Sequence, residues 1–204
     1  MRRVLAAIGA ILLLGGCAAE SVTSPMEEVT RAAYAHDGPP RITLFTMINN
    51  RSGAGAHSAL MINGAQRVIF DPAGTFNKAR HLPERDDVLY GITPQVADVY
   101  TRYHARKTYH VRIQRRDVSP ELADRAIALV EANGPVPDAA CSLAVSRILA
   151  ALFPGQFGTF WFPRRTADAF TALQGVTEET LYEYDSDDNS KVLADWDPDR
   201  ARRQ

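Results

Sequence analysis

The segment HSALMINGAQRVIFDPAG, residues 57–74, constrains the fold more than any other part of the chain. It holds two runs of β-forming residues on either side of Asn63-Gly64, a dipeptide that is a strong hairpin signal. The segment therefore predicts two consecutive antiparallel strands. Because side chains alternate between the two faces of a strand, the number of residues in the connecting loop decides which side chains share a face.

The segments around this hairpin predict a mixed fold. Further strands are expected at 41–48 and 107–114. Helices are expected at 93–104, 119–132, from about 138 to 153, and 166–173. This order predicts an α+β domain with an antiparallel sheet packed against helices. Hydrophobic residues make up 46% of the chain, which is enough for a core without disulfide bonds.

The N-terminus has the layout of a secretory signal: two arginines precede an apolar run, 4–14, that is too short to remain as a membrane-spanning helix. The string LGGC, residues 14–17, resembles the bacterial lipobox, in which the cysteine is acylated and becomes the first mature residue. This resemblance implies a signal peptide at 1–16 and a lipid on Cys17. It also implies a membrane-anchored lipoprotein of the cell envelope that faces the periplasm. An ordinary signal peptide that contains a cysteine is the alternative.

The rest of the chain is predicted to comprise a tether at 17–40, one domain at 41–177 and an acidic C-terminal segment at 178–204. The acidic segment is expected to be a solvated surface or a frayed tail. The aromatic run between Phe157 and Phe162 is expected in the core, with the wall of a substrate groove as the alternative. The formal net charge of −1 shows no basic excess, so no nucleic-acid partner is expected.

Cys141 lies at the predicted start of a helix, in the stretch PDAACSLAV. With Cys17 acylated, Cys141 has no intramolecular disulfide partner, and a leftover cysteine in an exported protein is a candidate reactive thiol. Asp138 is expected to cap the helix, whose N-terminus favours a thiolate. In the alternative, Cys141 is a packing residue at the start of the buried face of its helix. The other residues of that face are Val145, Ile148, Leu149 and Leu152.

Among the five histidines, only His57 opens an otherwise apolar strand, directly after a loop of small residues. A base in that position could face a thiol carried by a helix and activate it. Asp71 ends the second hairpin strand, where it could accept from the far nitrogen of His57 and fix the tautomer of the ring. The alternatives are a capping or core role for His57 and a local turn in which Asp71 bonds its own backbone.

The loop of the hairpin sets a condition on this arrangement. A two-residue turn at Asn63-Gly64 would pair His57 with Phe70 and place Asp71 on the opposite face of the sheet. A three-residue loop, or one bulge, would return His57 and Asp71 to a common face. The triad hypothesis therefore requires a loop of odd length or a bulge in this hairpin.

A strand histidine, a polar residue at the end of the next strand and a later helix that opens with ACSLAV together resemble one branch of a known superfamily. This is the circularly permuted branch of the NlpC-type papain-like superfamily, which includes lecithin:retinol acyltransferase-like proteins. The resemblance covers about residues 41–165. It implies a permuted papain-like fold with His57 as base, Asp71 as orienting residue and Cys141 as nucleophile. Two positions depart from the pattern: several relatives carry asparagine where this chain has Ala140, and the orienting residue is often histidine.

The activity implied by this resemblance is acyl transfer through a thioester on Cys141, with its backbone amide as one oxyanion donor. The protein would then be a cell-envelope cysteine hydrolase or acyltransferase that acts on peptidoglycan peptides or on lipid acyl groups. A catalytically inactive lipoprotein that binds envelope components or a protein partner is the alternative. A metal site built on the same three side chains matches no dense ligand motif, so neither a metal nor a cofactor is expected.

Overall fold

The computed structural model describes residues 22–78, 81–194 and 196, so Cys17 and the predicted signal peptide lie outside the described residues. The strands are β1 (Arg41–Asn49), β2 (Gly55–Asn63), β3 (Arg67–Phe70), β4 (Glu84–Arg85), β5 (Val88–Leu89), β6 (Tyr109–Asp117) and β7 (Thr177–Leu181). The helices are α1 (Met26–Ala32), α2 (Pro94–His104), α3 (Pro120–Glu131), α4 (Cys141–Leu152), α5 (Pro163–Thr171) and α6 (Ser190–Ala194).

Within these ranges the strands form one antiparallel sheet in the order β4-β5-β3-β2-β1-β6-β7, so the predicted α+β class is confirmed. The central strand β1 is buried along residues 42–48 because both faces of the sheet are covered. On one face, Leu44 and Leu60 pack with residues of α3, α4 and α5. On the other face, Phe45 and Ala59 pack with residues of α2.

The hairpin of β2 and β3 has a loop of three residues, Gly64 to Gln66, because Asn63 pairs with Arg67. The loop is fixed to α3, where Asp124 accepts from the Ala65 amide over 2.7 Å. The pairing of Leu60 with Phe70 continues this register, so Asp71 follows on the same face as His57. The odd-length loop that the triad hypothesis requires is therefore present.

The start of α4 differs from the prediction. The helix begins at Cys141, its N-cap residue is Ala140, and no side chain caps it. The expected cap by Asp138 is wrong because a capping side chain must lie directly before the first helical residue, and Asp138 lies three positions earlier. Ala139, with a φ of +63°, turns the chain into the helix at this point.

The acidic C-terminal segment contributes an edge strand that the sequence did not indicate. Strand β7 pairs with β6, and its residues 177–180 are exposed. Ion pairs join the two strands, with Glu178 at 2.8 Å from Arg112 and Glu179 at 2.6 Å from Arg115. No helix within the described ranges is both long enough and apolar enough to cross a membrane.

Candidate active site

Several elements meet at one end of the sheet, which we call the site end. Strands β1, β3 and β7 finish at this end, whereas β2 and β6 begin there. His57 lies near the start of β2, Asp71 directly follows β3, and Cys141 is the first residue of α4. The structure therefore brings together the three side chains that the sequence singled out.

His57 lies between the thiol and the carboxylate. Its Nε2 atom is 2.8 Å from Asp71 Oδ1, and the Cys141 side chain is close enough to the ring for the two groups to shift each other's pKa. Because Nε2 is occupied by Asp71, Nδ1 is the nitrogen left for the sulfur. The register of β2 against β1 shifts next to His57, since Met47 pairs with His57 and Ile48 pairs with Gly55. Such a bulge re-aims the adjacent side chain.

Asp71 is 5% exposed and is held from two sides. Tyr100, on α2, donates its hydroxyl hydrogen to Asp71 Oδ1 over 2.7 Å. The local turn is also present, but it uses the backbone carbonyl of Asp71, which accepts from the Gly74 amide over 2.9 Å. The turn therefore uses the backbone of Asp71, whereas the carboxylate is hydrogen-bonded to His57 and Tyr100.

Burial opposes charge on all three groups, and their mutual hydrogen bonds outweigh it. Burial lowers the pKa of His57, but hydrogen bonds to Asp71 and Cys141 raise it to about 10. Burial raises the pKa of Asp71, but the hydrogen bond from His57 leaves it below its usual value. Burial also raises the pKa of Cys141, but the hydrogen bond to His57 and the amides of Ser58 and Ser142 leave it lowered. At neutral pH the site therefore holds an imidazolium beside a carboxylate, and Cys141 loses its proton more readily than a free cysteine does.

His104 is a residue of the site that sequence reasoning missed. Its ring is stacked on the His57 ring, with 6.1 Å between centroids. His104 Nδ1 lies 2.8 Å from the Tyr100 carbonyl oxygen, and because a carbonyl only accepts, Nδ1 carries the hydrogen. Burial lowers the pKa of His104 to about 4, so the ring is neutral at pH 7. The available signal was the spacing of Tyr100 and His104, which puts both on one face of α2.

The first turn of α4 is fixed independently of the thiol. Ser142 Oγ lies 2.7 Å from Thr166 Oγ1 on α5 and 3.2 Å from the carbonyl oxygen of Phe160. The backbone amide of Ser142 is among the groups that stabilise the Cys141 thiolate. With no side chain capping the helix, its N-terminal dipole acts on the sulfur directly.

A cleft of about 450 Å³ opens beside His57. Its apolar lining includes Met47, Tyr103 and Tyr109, and Arg106 adds the one guanidinium among the described lining residues. This volume lies within the usual range for small-molecule sites, roughly 300–1,000 Å³. The Arg106 side chain is 5% exposed, and neither Nε nor Nη2 has a hydrogen-bond partner among the described residues.

Comparisons with family models, with curated proteins and with solved structures give no match for this chain. No group of histidine, cysteine, aspartate and glutamate side chains in the described ranges is arranged to hold a metal ion.

Proposed function

We propose that the protein is a cell-envelope cysteine hydrolase or acyltransferase that cleaves an amide or ester bond through a thioester on Cys141. One observation carries the proposal: His57 Nε2 lies 2.8 Å from Asp71 Oδ1, and the same ring interacts with the Cys141 side chain at the start of α4 strongly enough to lower the pKa of the thiol. A nucleophile, a base within reach and a third group that orients the base are the parts of a nucleophilic triad. The cleft is lined by His57 and so gives a substrate access to the base.

The mechanism follows from the charges of the site. The Cys141 thiolate attacks the carbonyl carbon, a C–S bond forms, and the oxyanion accepts from the Cys141 amide at the start of α4. His57 then donates its proton to the leaving nitrogen or oxygen, the scissile bond breaks, and a thioester remains. Water or another acceptor attacks the thioester while His57 takes its proton, and the thiolate leaves. Asp71 stabilises the imidazolium throughout and keeps the ring oriented.

The resemblance to the permuted NlpC-type papain-like branch supports this proposal. The order of base, orienting residue and nucleophile is that of the branch, and the cysteine opens a helix packed against an antiparallel sheet. Lipidation at Cys17 would place the activity in the cell envelope. Peptidoglycan peptides are accordingly the first substrates to test, and lipid acyl groups the second.

Alkylation of Cys141 with iodoacetamide across pH tests the proposed activation. A chain that begins at Ala18 lacks Cys17, so that Cys141 is its only thiol. We expect an apparent pKa well below the value of about 8.5 for a free thiol. His57→Ala should return it to that value, whereas His110→Ala, at a half-buried histidine on β6, should leave it unchanged. The proposal would be overturned if the thiol reacted only after denaturation, or if His57→Ala left its apparent pKa unchanged.

The second candidate function is an inactive lipoprotein that binds envelope components or a protein partner. Cys141 is only 7% exposed, which favours a packing role for its side chain. In that case the thiol stays inert in the folded protein at every pH. The same labelling experiment therefore separates the two functions.

A further inference from the structure

Four of the five large apolar side chains that are exposed in the described part of the chain belong to segments that adjoin the site end of the sheet. These four are Trp161, Phe162, Tyr182 and Tyr184, and the fifth is Met26, the first residue of α1. Single exposed apolar side chains are ordinary, but their concentration at one end of a fold marks an interaction surface. Tyr182 and Tyr184 directly follow β7, which finishes at the site end.

The Trp161–Phe162 pair borders the proposed active site. Just before the pair, the Phe160 carbonyl accepts from Ser142 in the first turn of α4. Just after it, Arg164 Nη1 donates over 3.1 Å to the carbonyl of Gly53, in the loop between β1 and β2. The pair, 55% and 68% exposed, therefore lies between the helix start that carries the thiol and the strand start that carries the imidazole.

Exposed arginines flank this aromatic pair. Arg164 and Arg165 follow it directly, and Arg51 lies in the neighbouring loop between β1 and β2. No carboxylate in the described ranges forms an ion pair with any of the three. Exposed tryptophan and phenylalanine beside unpaired arginines are typical of surfaces that bind at the interface of an anionic bilayer.

The chain leading to the predicted lipidation site also leaves from the site end. The Val22 carbonyl accepts from the Asp86 amide over 2.9 Å, and Asp86 lies in the turn between β4 and β5 at the site end. Cys17 lies five positions before Val22, and a chain of this length spans at most about 18 Å. A lipid on Cys17 would therefore hold the site end, and not the opposite end, close to the membrane.

We propose that the Trp161–Phe162 pair and its flanking arginines dock on an anionic membrane, beside the strand start that carries His57. Two attachments hold a protein at a membrane better than one, and this surface supplies the second beside the lipid on Cys17. The proposed hydrolase then meets its substrate at the membrane. The proposal rests on the predicted lipidation for its setting, but it does not depend on catalysis.

Vesicle binding tests this surface without the lipid. The chain from Ala18 onward lacks the apolar leader and retains every residue of the two cores. We expect it to sediment with phosphatidylglycerol vesicles, more weakly at high salt, and not with pure phosphatidylcholine. Trp161→Ser with Phe162→Ser should lower the partition coefficient at least about tenfold. Arg164→Glu with Arg165→Glu should do the same, whereas Arg125→Glu, on α3, should not.

Quenching by brominated lipids then reports which residue enters the bilayer. Trp161 should be quenched, and since the other tryptophan, Trp196, is buried, Trp161→Phe should retain binding and abolish the quenching. The docking proposal is overturned if the vesicles do not bind, if quenching survives Trp161→Phe, or if Arg125→Glu weakens binding as much as the reversal of the two arginines. It is also overturned if Phe162→Ser instead disrupts a dimer. Cys141→Ala should bind like the wild type, so failure of the proposed catalysis would leave this result intact.

Discussion

Tyr100 donates its hydroxyl hydrogen to Asp71 Oδ1 over 2.7 Å, and the same oxygen is 2.8 Å from His57 Nε2. The carboxylate is thus fixed between a helix and a strand. Two donors on one oxygen favour its charged form, which in turn holds the imidazolium. The buried phenol therefore sets the orientation of the proposed triad although it does not touch a substrate.

Tyr100→Phe should lower both the stability of the fold and the reactivity of Cys141. A hydrogen bond to a charged group is worth about 1.5–3 kcal/mol, so the free energy of unfolding should fall by about this amount at pH 7. The alkylation rate of Cys141 should fall as well, because the carboxylate can then rotate away from His57. Tyr103→Phe is the matched control, since its hydroxyl contacts Thr75 and not the carboxylate. If both variants react like the wild type, Tyr100 has no positioning role.

The ion pair predicts an unusual dependence of stability on pH. The pKa of His57 is raised from 6.5 to about 10 and that of Cys141 is lowered from 9.0. Between pH 6.5 and 9 the folded chain holds a proton on the imidazole that the unfolded chain has lost, whereas its lowered thiol pKa favours release of the thiol proton that the unfolded chain keeps. The two shifts have opposite effects on the pH dependence of the free energy of unfolding, so the pair gives a shallower slope in this window than His57 alone would give.

Cys141→Ala should reveal how much His57 alone contributes to the change of the free energy of unfolding with pH. The folded variant then binds one proton more than the unfolded chain, so the stabilisation is complete below pH 6.5 and is lost as the pH rises towards the folded pKa. Relative to the wild type, the free energy of unfolding should fall by up to about 1.4 kcal/mol per pH unit. Urea titrations at pH 6.5, 7.5 and 8.5 measure this difference, and adding His57→Gln should remove it. Parallel profiles for the wild type and Cys141→Ala would contradict the ion pair.

The two stacked histidines should differ in charge at pH 7. Burial lowers the pKa of His104 to about 4, whereas the pKa of His57 is about 10. Nitrogen NMR of the imidazole rings should therefore show His104 neutral with its proton on Nδ1, and His57 protonated on both nitrogens. His104→Gln assigns the signals. A His104 that titrates near 6.5, or that carries its proton on Nε2, would contradict the contact with the Tyr100 carbonyl.

The parts of the fold that were predictable from the sequence depend on neighbours in the chain. The hairpin, the long strands and the helices have dense apolar patterns, and these patterns predict their places. The positions of His57 and Cys141 at element ends followed from the same patterns. The contact between His57 and Asp71 depended on the loop length, which the sequence left open and which the bond between Asp124 and the Ala65 amide fixes.

The missed features depend on residues that are distant in sequence. Strand β7 is polar, and its ion pairs to β6 bridge more than sixty positions. The start of α4 follows a loop that is held by a bond from the Val136 amide to Asp87 over 2.8 Å. Patterns of neighbouring residues, on which the capping rule depends, could not predict the β6–β7 ion pairs or the bond between Val136 and Asp87. Tyr100 likewise reaches Asp71 only because α2 packs on the face of the sheet that carries the hairpin residues.

Gly74→Ala should disable the proposed triad without altering any of its members. A Cβ atom at Gly74 would overlap Asp71 Oδ2, so the carboxylate would have to move. Since that carboxylate is held by His57 and Tyr100, the displacement should raise the apparent pKa of Cys141 in alkylation experiments towards that of a free thiol. Gly158→Ala is the control, because its Cβ would meet only the Phe160 ring at 3.3 Å. A Gly74→Ala variant that retains the reactivity of the wild-type thiol would show that Asp71 does not contribute to its activation.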